Sequence, residues 1–381
     1  MSLGRHAIVL VAAALLLLGE RARAGGGRIV ATVESERAHF VLRELARGLE
    51  HPWSLAFLPD GRFLVSERPG RLRYVAADGT LDPEPISGIP EVWARGQGGL
   101  LDVALDPEFA RNRLVYLSYA AAVPGGAATH VARGRLVDHR LEKVEVIFRS
   151  NGVSRTGRHF GSRLLFRDGL LYVTLGERGV RRFAQDLSVH AGSVIRIRPD
   201  GSVPEDNPFM GTPGAMPEIF TYGHRNPQGM DRNPATGEVW IHEHGPQGGD
   251  EVNRLVAGAN YGWPLYTHGR EYGTGEPIGL GTEAPGIEPP LWVWIPSIAP
   301  SGMAFYGGDA FPGWKGDLLV GALRAQMLVR LDIEDGRIVA EERLLRGLVG
   351  RIRDVRVGPD GLVYLLSDAA DGGLYRLEPR P

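Results

Sequence analysis

Short apolar runs of strand character recur along this chain, each approached through small apolar residues and a Pro, Asp or Gly turn and closed by a small or acidic residue. The copies are His51–Gly61 leading to Phe63–Glu67, Gly99–Pro107 leading to Leu114–Tyr119, and Gly161–Gly169 leading to Leu170–Glu177. Asn226–Gly237 leads to Glu238–Glu243, Pro300–Gly316 to Asp317–Ala322, and Arg353–Gly361 to Leu362–Asp368. With Phe57, Leu105, Phe166, Met230, Phe305 and Val357 taken as equivalent, the units are spaced 48, 61, 64, 75 and 52 residues apart. A four-stranded blade needs about 40–50 residues, so each unit is one blade plus a loop of variable length. The pattern predicts an all-β fold, a six-bladed β-propeller of four-stranded antiparallel blades over residues 45–381, with a pair of β-sandwiches as the alternative. Hardly any stretch has helical periodicity, and 53 Gly and 27 Pro punctuate the chain.

In such a ring the innermost strands converge on the axis, so residues far apart in sequence share one funnel. Glu67, Glu177, Glu243 and Asp368, which close their runs, are expected around it. The longest insertion, from Gly262 to Pro300, is expected to form part of a rim, its Trp263, Trp292 and Trp294 either walling the funnel or packing as core aromatics.

Polar chemistry is densest between Glu218 and Pro264. His224-Arg225-Asn226-Pro227 sets a guanidinium beside a carboxamide before a Pro-fixed turn, a pair suited to the planar oxygens of a carboxylate or quinone. Glu243-His244-Gly245-Pro246 ends a strand in a turn whose backbone carbonyls can face a hard cation, and Asp250 and Glu251 bring carboxylates within loop reach. The plainer reading pairs Arg225 with Glu218 or Asp231 and leaves both acids as solvated loop charges. His159, just before the third run, and Glu177, at its end, have the arrangement of a general base whose tautomer an acid fixes. Arg324, Arg351 and Arg353, added to Arg225, make a positive funnel for a ligand with several carboxylates, unless they pair at the surface with acids such as Asp354. Gln97, on a Gly-rich loop before the second unit, can hydrogen-bond a sugar hydroxyl.

Composition narrows the function classes. The 381 residues, 43% hydrophobic and 23% charged, suffice for a full core, and a net charge of -2 suggests no nucleic-acid partner. Lys143 and Lys315 are the only lysines, which argues against Schiff-base and P-loop chemistry. Cys is absent. Arg5 and His6, an apolar run from Ala7 to Leu18 and Ala22-Arg23-Ala24 have the order of a secretory signal peptide over residues 1–24, with a retained anchor as the alternative. The expectation is a periplasmic or secreted protein without a transmembrane segment in its mature chain, residues 25–44 forming an N-terminal extension.

Six motifs, GQGGLLDVALDPEF at 96–109, RHFGSRLLF at 158–166, YGHRNPQGM at 222–230, EHGPQGGDEVN at 243–253, NYGWP at 260–264 and GRIRDV at 350–355, run in order through the chain. Together they resemble the soluble pyrroloquinoline-quinone (PQQ)-dependent aldose sugar dehydrogenases of the glucose/sorbosone type. The resemblance implies a six-bladed propeller holding PQQ and Ca2+, with His159 removing the anomeric proton of an aldose, Glu177 orienting it, and the C1 hydride passing to the quinone's C5. It implies that Arg225 and Asn226 contact the quinone oxygens, that Arg324, Arg351 and Arg353 neutralise its carboxylates, and that Gln97 and His159 face the sugar. Backbone carbonyls of Gly245 and Pro246 would hold the cofactor's calcium, and Glu251 with the carbonyl of Tyr261 a further, structural one. Arg324 stands where glucose-specific relatives carry lysine and Arg158 where they carry an acid, which favours broader aldose oxidation. No haem-attachment motif is present, so electrons would pass to an external acceptor. A calcium-dependent lactonase and a non-catalytic ligand-binding propeller are the competing readings.

Overall fold

In the computed structural model, which describes residues 27–380, consecutive antiparallel hairpins form six sheets arranged as a propeller. The expected signal peptide lies outside the described residues. Helix is confined to Phe109–Asn112 and the 3-10 turns Arg181–Gln185 and Pro312–Trp314, and among the described residues no helix is long and apolar enough to cross a membrane.

The runs recognised in the sequence are strands, but not the innermost ones. Each blade begins with the segment read as an approach: Pro52–Phe57, Leu100–Leu105, Leu164–Arg167, Pro227–Arg232, Pro300–Phe305 and Ile352–Val357. These six lie next to the axis and touch their neighbours from blade to blade. The second strands, such as Phe63–Glu67, Leu318–Ala322 and Val363–Ser367, are buried at every position because each is covered by the sheets on both sides, which is why they are almost continuously apolar.

Four blades have the expected four strands; the other two depart from it in opposite directions. The first has three, and where a fourth would pair only isolated bridges occur, Leu72 to Ile86 and Val75 to Leu81. Pro83 and Pro85 lie in that segment and have no N–H to give a ladder. The last blade has five, because Arg28–Glu34 and His39–Leu49 add to the C-terminal hairpin. The propeller thus begins at Arg28 rather than at residue 45. His39–Leu49 pairs with Gly372–Pro379 from Phe40 opposite Pro379 to Leu49 opposite Gly372, closing the ring and leaving no central edge unpaired.

Halfway down the axis a charged layer separates two cavities. Arg163 contacts Asp102 at 3.2 Å and Asp354 at 3.0 Å, and Arg356 contacts the same two carboxylates at 3.0 and 2.9 Å. Backbone N–H groups of Leu164 and Leu55 complete the coordination of Asp102 and Asp354. Four blades are thereby tied together where small first-strand residues cannot fill the centre. Above the layer lies the funnel; below it, the equivalent positions Phe57, Leu105, Phe166, Phe305 and Val357 line the lower mouth.

Candidate active site

The funnel encloses about 240 Å³ and is lined by groups from all six blades, among them Trp53, Gln97, Asn226, His244, Arg351 and Arg353. Its basic character is intrinsic: Arg68, Arg351 and Arg353 line it against one carboxylate, Asp368. Arg353 donates to Asp368 at 3.1 Å and to the Gln228 side-chain oxygen at 3.2 Å, and Arg351 lies 3.5 Å from the same acid. Burial works against ionised Asp368, but Arg353 and the His51 ring at 2.8 Å hold its carboxyl far below the usual range.

His159 and Glu177 are brought together as the sequence suggested. The imidazole Nδ1 is hydrogen-bonded to a carboxylate oxygen of Glu177 in a buried contact. An ionised carboxylate only accepts, so Nδ1 carries the proton and Nε2, which has no partner among the described residues, is the basic nitrogen. Burial pushes the imidazole below its ordinary pKa, Glu177 pulls it back up, and Arg225 and Arg158 push it further down. The backbone here is unusual: His159 has φ of +56°, a left-handed conformation costly for a residue with a side chain. Two neighbours hold it there. Gln97 accepts from the His159 N–H at 2.7 Å, and a Cβ at Gly176 would collide with the His159 carbonyl, so only glycine lets the following loop pass. Asn226 joins the same cluster by accepting from the Gly161 N–H at 3.1 Å.

Arg225 stands one step to the side. Its guanidinium donates to the His244 carbonyl at 2.9 Å and lies 5.4 Å from the Trp263 ring centre, and its backbone N–H donates to Glu243. It pairs with neither Glu218, which binds His190, nor Asp231, which accepts from the Phe305 N–H. Burial lowers its pKa. With Gly245, Glu251 and Tyr261 it lines a small cavity of about 10 Å³ that shares His244 with the funnel. Glu251 has a poor contact there, a 3.4 Å hydrogen bond from Asn253, and burial together with the Glu243 charge pushes its carboxyl well up. A Cβ at Gly245 would run into the carbonyls of Gly248 and Gly249, which shows how tightly backbone oxygens crowd this turn.

Three expectations change. Asp250 is no loop charge: it accepts from the N–H groups of Gly245, Ile298 and Ala299 and from the Ser297 hydroxyl, so it braces the turn from below. The Pro246 carbonyl already receives the Arg270 N–H at 3.1 Å. Arg324 is exposed and outside the cavity wall, which its neighbour Leu323 forms instead. Gln228 was missed although Asn226 two residues earlier marked its face, since alternate residues of an extended segment point the same way. Trp53, stacked 4.3 Å from the Arg163 guanidinium, was missed as well, and its motif offers no polar signal.

The description Glucose / Sorbosone dehydrogenase belongs to the family model that matches residues 49–376. Aldose sugar dehydrogenase YliI of Escherichia coli is 46% identical over 339 residues, covering 87% of this chain and 91% of that one. A crystal structure of a glucose dehydrogenase superposes with a TM-score of 0.86 at 50% identity, over 88% of this chain and 98% of that one. The PQQ-bound aldose sugar dehydrogenase of Streptomyces coelicolor does so with a TM-score of 0.74 at 29% identity, over 90% and 99%. With the family's model spanning all six blades, this chain belongs to the glucose/sorbosone dehydrogenase family.

Proposed function

We propose that this protein oxidises aldoses at C1 to aldonolactones, with PQQ and calcium as cofactors and an external electron acceptor. The observation that carries the reading is a histidine with one nitrogen fixed by a buried carboxylate and the other free, beside a funnel whose guanidiniums outnumber its carboxylates. The residues fit the cofactors. Arg351 and Arg353 share the single acid Asp368 and so retain positive charge for a ligand's carboxylates, while the under-compensated Glu251 carboxylate suits a hard cation. Bound there, the quinone supplies the acceptor for the C1 hydride.

The protein's own part is a proton transfer and its positioning. His159 Nε2 takes the proton of the anomeric hydroxyl, and Glu177 stabilises the imidazolium that forms. Gln97 keeps its amide N–H2 for a sugar hydroxyl while its oxygen holds the base's backbone. Arg225 and Asn226 would hold the quinone oxygens, the Arg225 guanidinium supplying positive charge in the manner of an oxyanion hole. Arg351 and Arg353 would hold the carboxylates. The Gly245 carbonyl would hold the cofactor's calcium, and Glu251 with the Tyr261 carbonyl the structural ion. Export, read from residues 1–24, belongs to the same proposal.

Protein reconstituted with calcium and PQQ is expected to reduce an artificial dye when given aldoses; no reduction across a panel of sugars refutes the activity. The cation site has its own test, independent of turnover. Calcium at a hundredfold excess over its dissociation constant is expected to stabilise the apoprotein by about 2.7 kcal/mol in thermal unfolding, and Glu251→Gln to remove most of that increment.

A further inference from the structure

A second polar cavity lies on the outer side of the loop that carries Gln97. In the second blade the register sets Tyr119 opposite His130 and His130 opposite Arg149, so a phenol, an imidazole and a guanidinium form one row across three adjacent strands. The row floors an open groove of about 600 Å³ whose opposite wall is the segment from Pro90 to Arg95, with Ala121 and Ala122 leaving room between. Tyr119 is 3% exposed and His130 8%, their rings edge to face with centroids 5.8 Å apart. Yet among the described residues neither side chain hydrogen-bonds another protein group. Their polar atoms open onto the groove rather than into the core, so a ligand lodged there can take over the hydrogen bonds that water would otherwise make.

The charges narrow its chemistry. Arg95 and Arg149 reach the groove and form no ion pair among the described residues, while Glu91 is the one carboxylate lining it. Burial, reinforced by Arg149, pushes His130 down to about 4, so at neutral pH the imidazole offers one donor and one acceptor and no charge. Tyr119 is likewise pushed up by burial and stays a neutral phenol. Two guanidiniums beside two neutral hydrogen-bonding rings match neither a plain sugar, which leaves the cations idle, nor a bare inorganic anion, which makes little use of an imidazole acceptor.

We propose that this groove binds a small hydroxylated organic anion, a sugar acid being the simplest case, its carboxylate between Arg95 and Arg149 and its hydroxyls on Tyr119, His130 and Glu91. Calorimetric titration of the whole mature protein with gluconate, glucose and inorganic phosphate, without quinone or calcium, tests it. Because the funnel is also cationic, each titration is repeated with Arg353→Ala. The expected result is saturable gluconate binding that survives Arg353→Ala, weakens about tenfold or more in Arg149→Glu and about threefold or more in the isosteric Tyr119→Phe, with no saturation by glucose. Absence of saturable gluconate binding overturns the proposal. So does binding that Arg353→Ala abolishes and Arg149→Glu leaves unchanged, and so does phosphate bound as tightly as gluconate.

Discussion

The third and fourth blades carry the same pair of residues in the same way, and only one of the two pairs is open. In each, a histidine ahead of the first strand gives its Nδ1 to a glutamate at or just past the end of the second: His159 to Glu177, and His224 to Glu243. In the fourth blade the other nitrogen is taken by the Thr221 hydroxyl at 2.9 Å, the ring is stacked on Tyr261 at 4.4 Å, and the histidine is fully buried. In the third blade no group among the described residues caps Nε2. A histidine–carboxylate pair is thus a structural clasp when both ends are satisfied and a base when one end is not; the second nitrogen's surroundings decide which.

Substitutions can break or sharpen that contrast. The largest effect expected is from His159→Ala, which should cost about 10²- to 10⁴-fold in kcat, the usual contribution of a general base, with thermal stability nearly unchanged. His224→Ala should do the reverse. Removing a buried ring and stranding Glu243 should cost about 3–5 kcal/mol in denaturant unfolding, so unfolding curves and kcat should move in opposite proportion for the two variants. If His224→Ala lowers turnover as steeply as His159→Ala while remaining equally stable, the assignment of roles is wrong.

A smaller effect is expected from Glu177→Gln, about 10- to 100-fold in kcat/KM for the loss of a charge-assisted hydrogen bond. Its pH profile carries the sharper information. The base works as neutral imidazole, and burial has already lowered its pKa, so activity should rise with pH to a plateau reached below the range of an ordinary histidine. Glu177 raises that pKa, so removing its charge should shift the acid limb to still lower pH; a shift upward would contradict the pairing. Smallest is Thr221→Val, expected to cost about 1 kcal/mol of stability, the worth of one hydrogen bond, with turnover unaltered.

The blades were legible because their second strands are covered on both faces and therefore almost wholly apolar, with Gly-rich turns between. Which strand stands innermost was not, since six strands crowding one axis admit small and polar residues such as Ser54, Asp102 and Ser301, and these read as loop. The charged layer was invisible for a different reason: Arg163 and Asp102 are 61 residues apart, and nothing local marks them as partners. Likewise Arg28–Glu34 and His39–Leu49 lack the repeating unit, because they complete another blade instead of starting one. In the site, His159 with Glu177 and Asn226 stood out because polar side chains flanked apolar runs. The opposite fates of Asp250 and Glu251 did not, since only the packing of Ser297–Ala299 against one of them tells them apart.

The pairing of His39–Leu49 with Gly372–Pro379 also fixes when the molecule becomes functional. Gly372–Pro379 is made after every other described strand of the ring, and its partner His39–Leu49 before the first strand of every blade, so the annulus stays open until that closing strand has emerged. Trp53, from the first blade, and Asp368, from the last, face each other only after that junction forms. Catalytic competence therefore matures when that one junction forms, and a chain without Gly372–Pro379 loses its geometry at both sides of the seam.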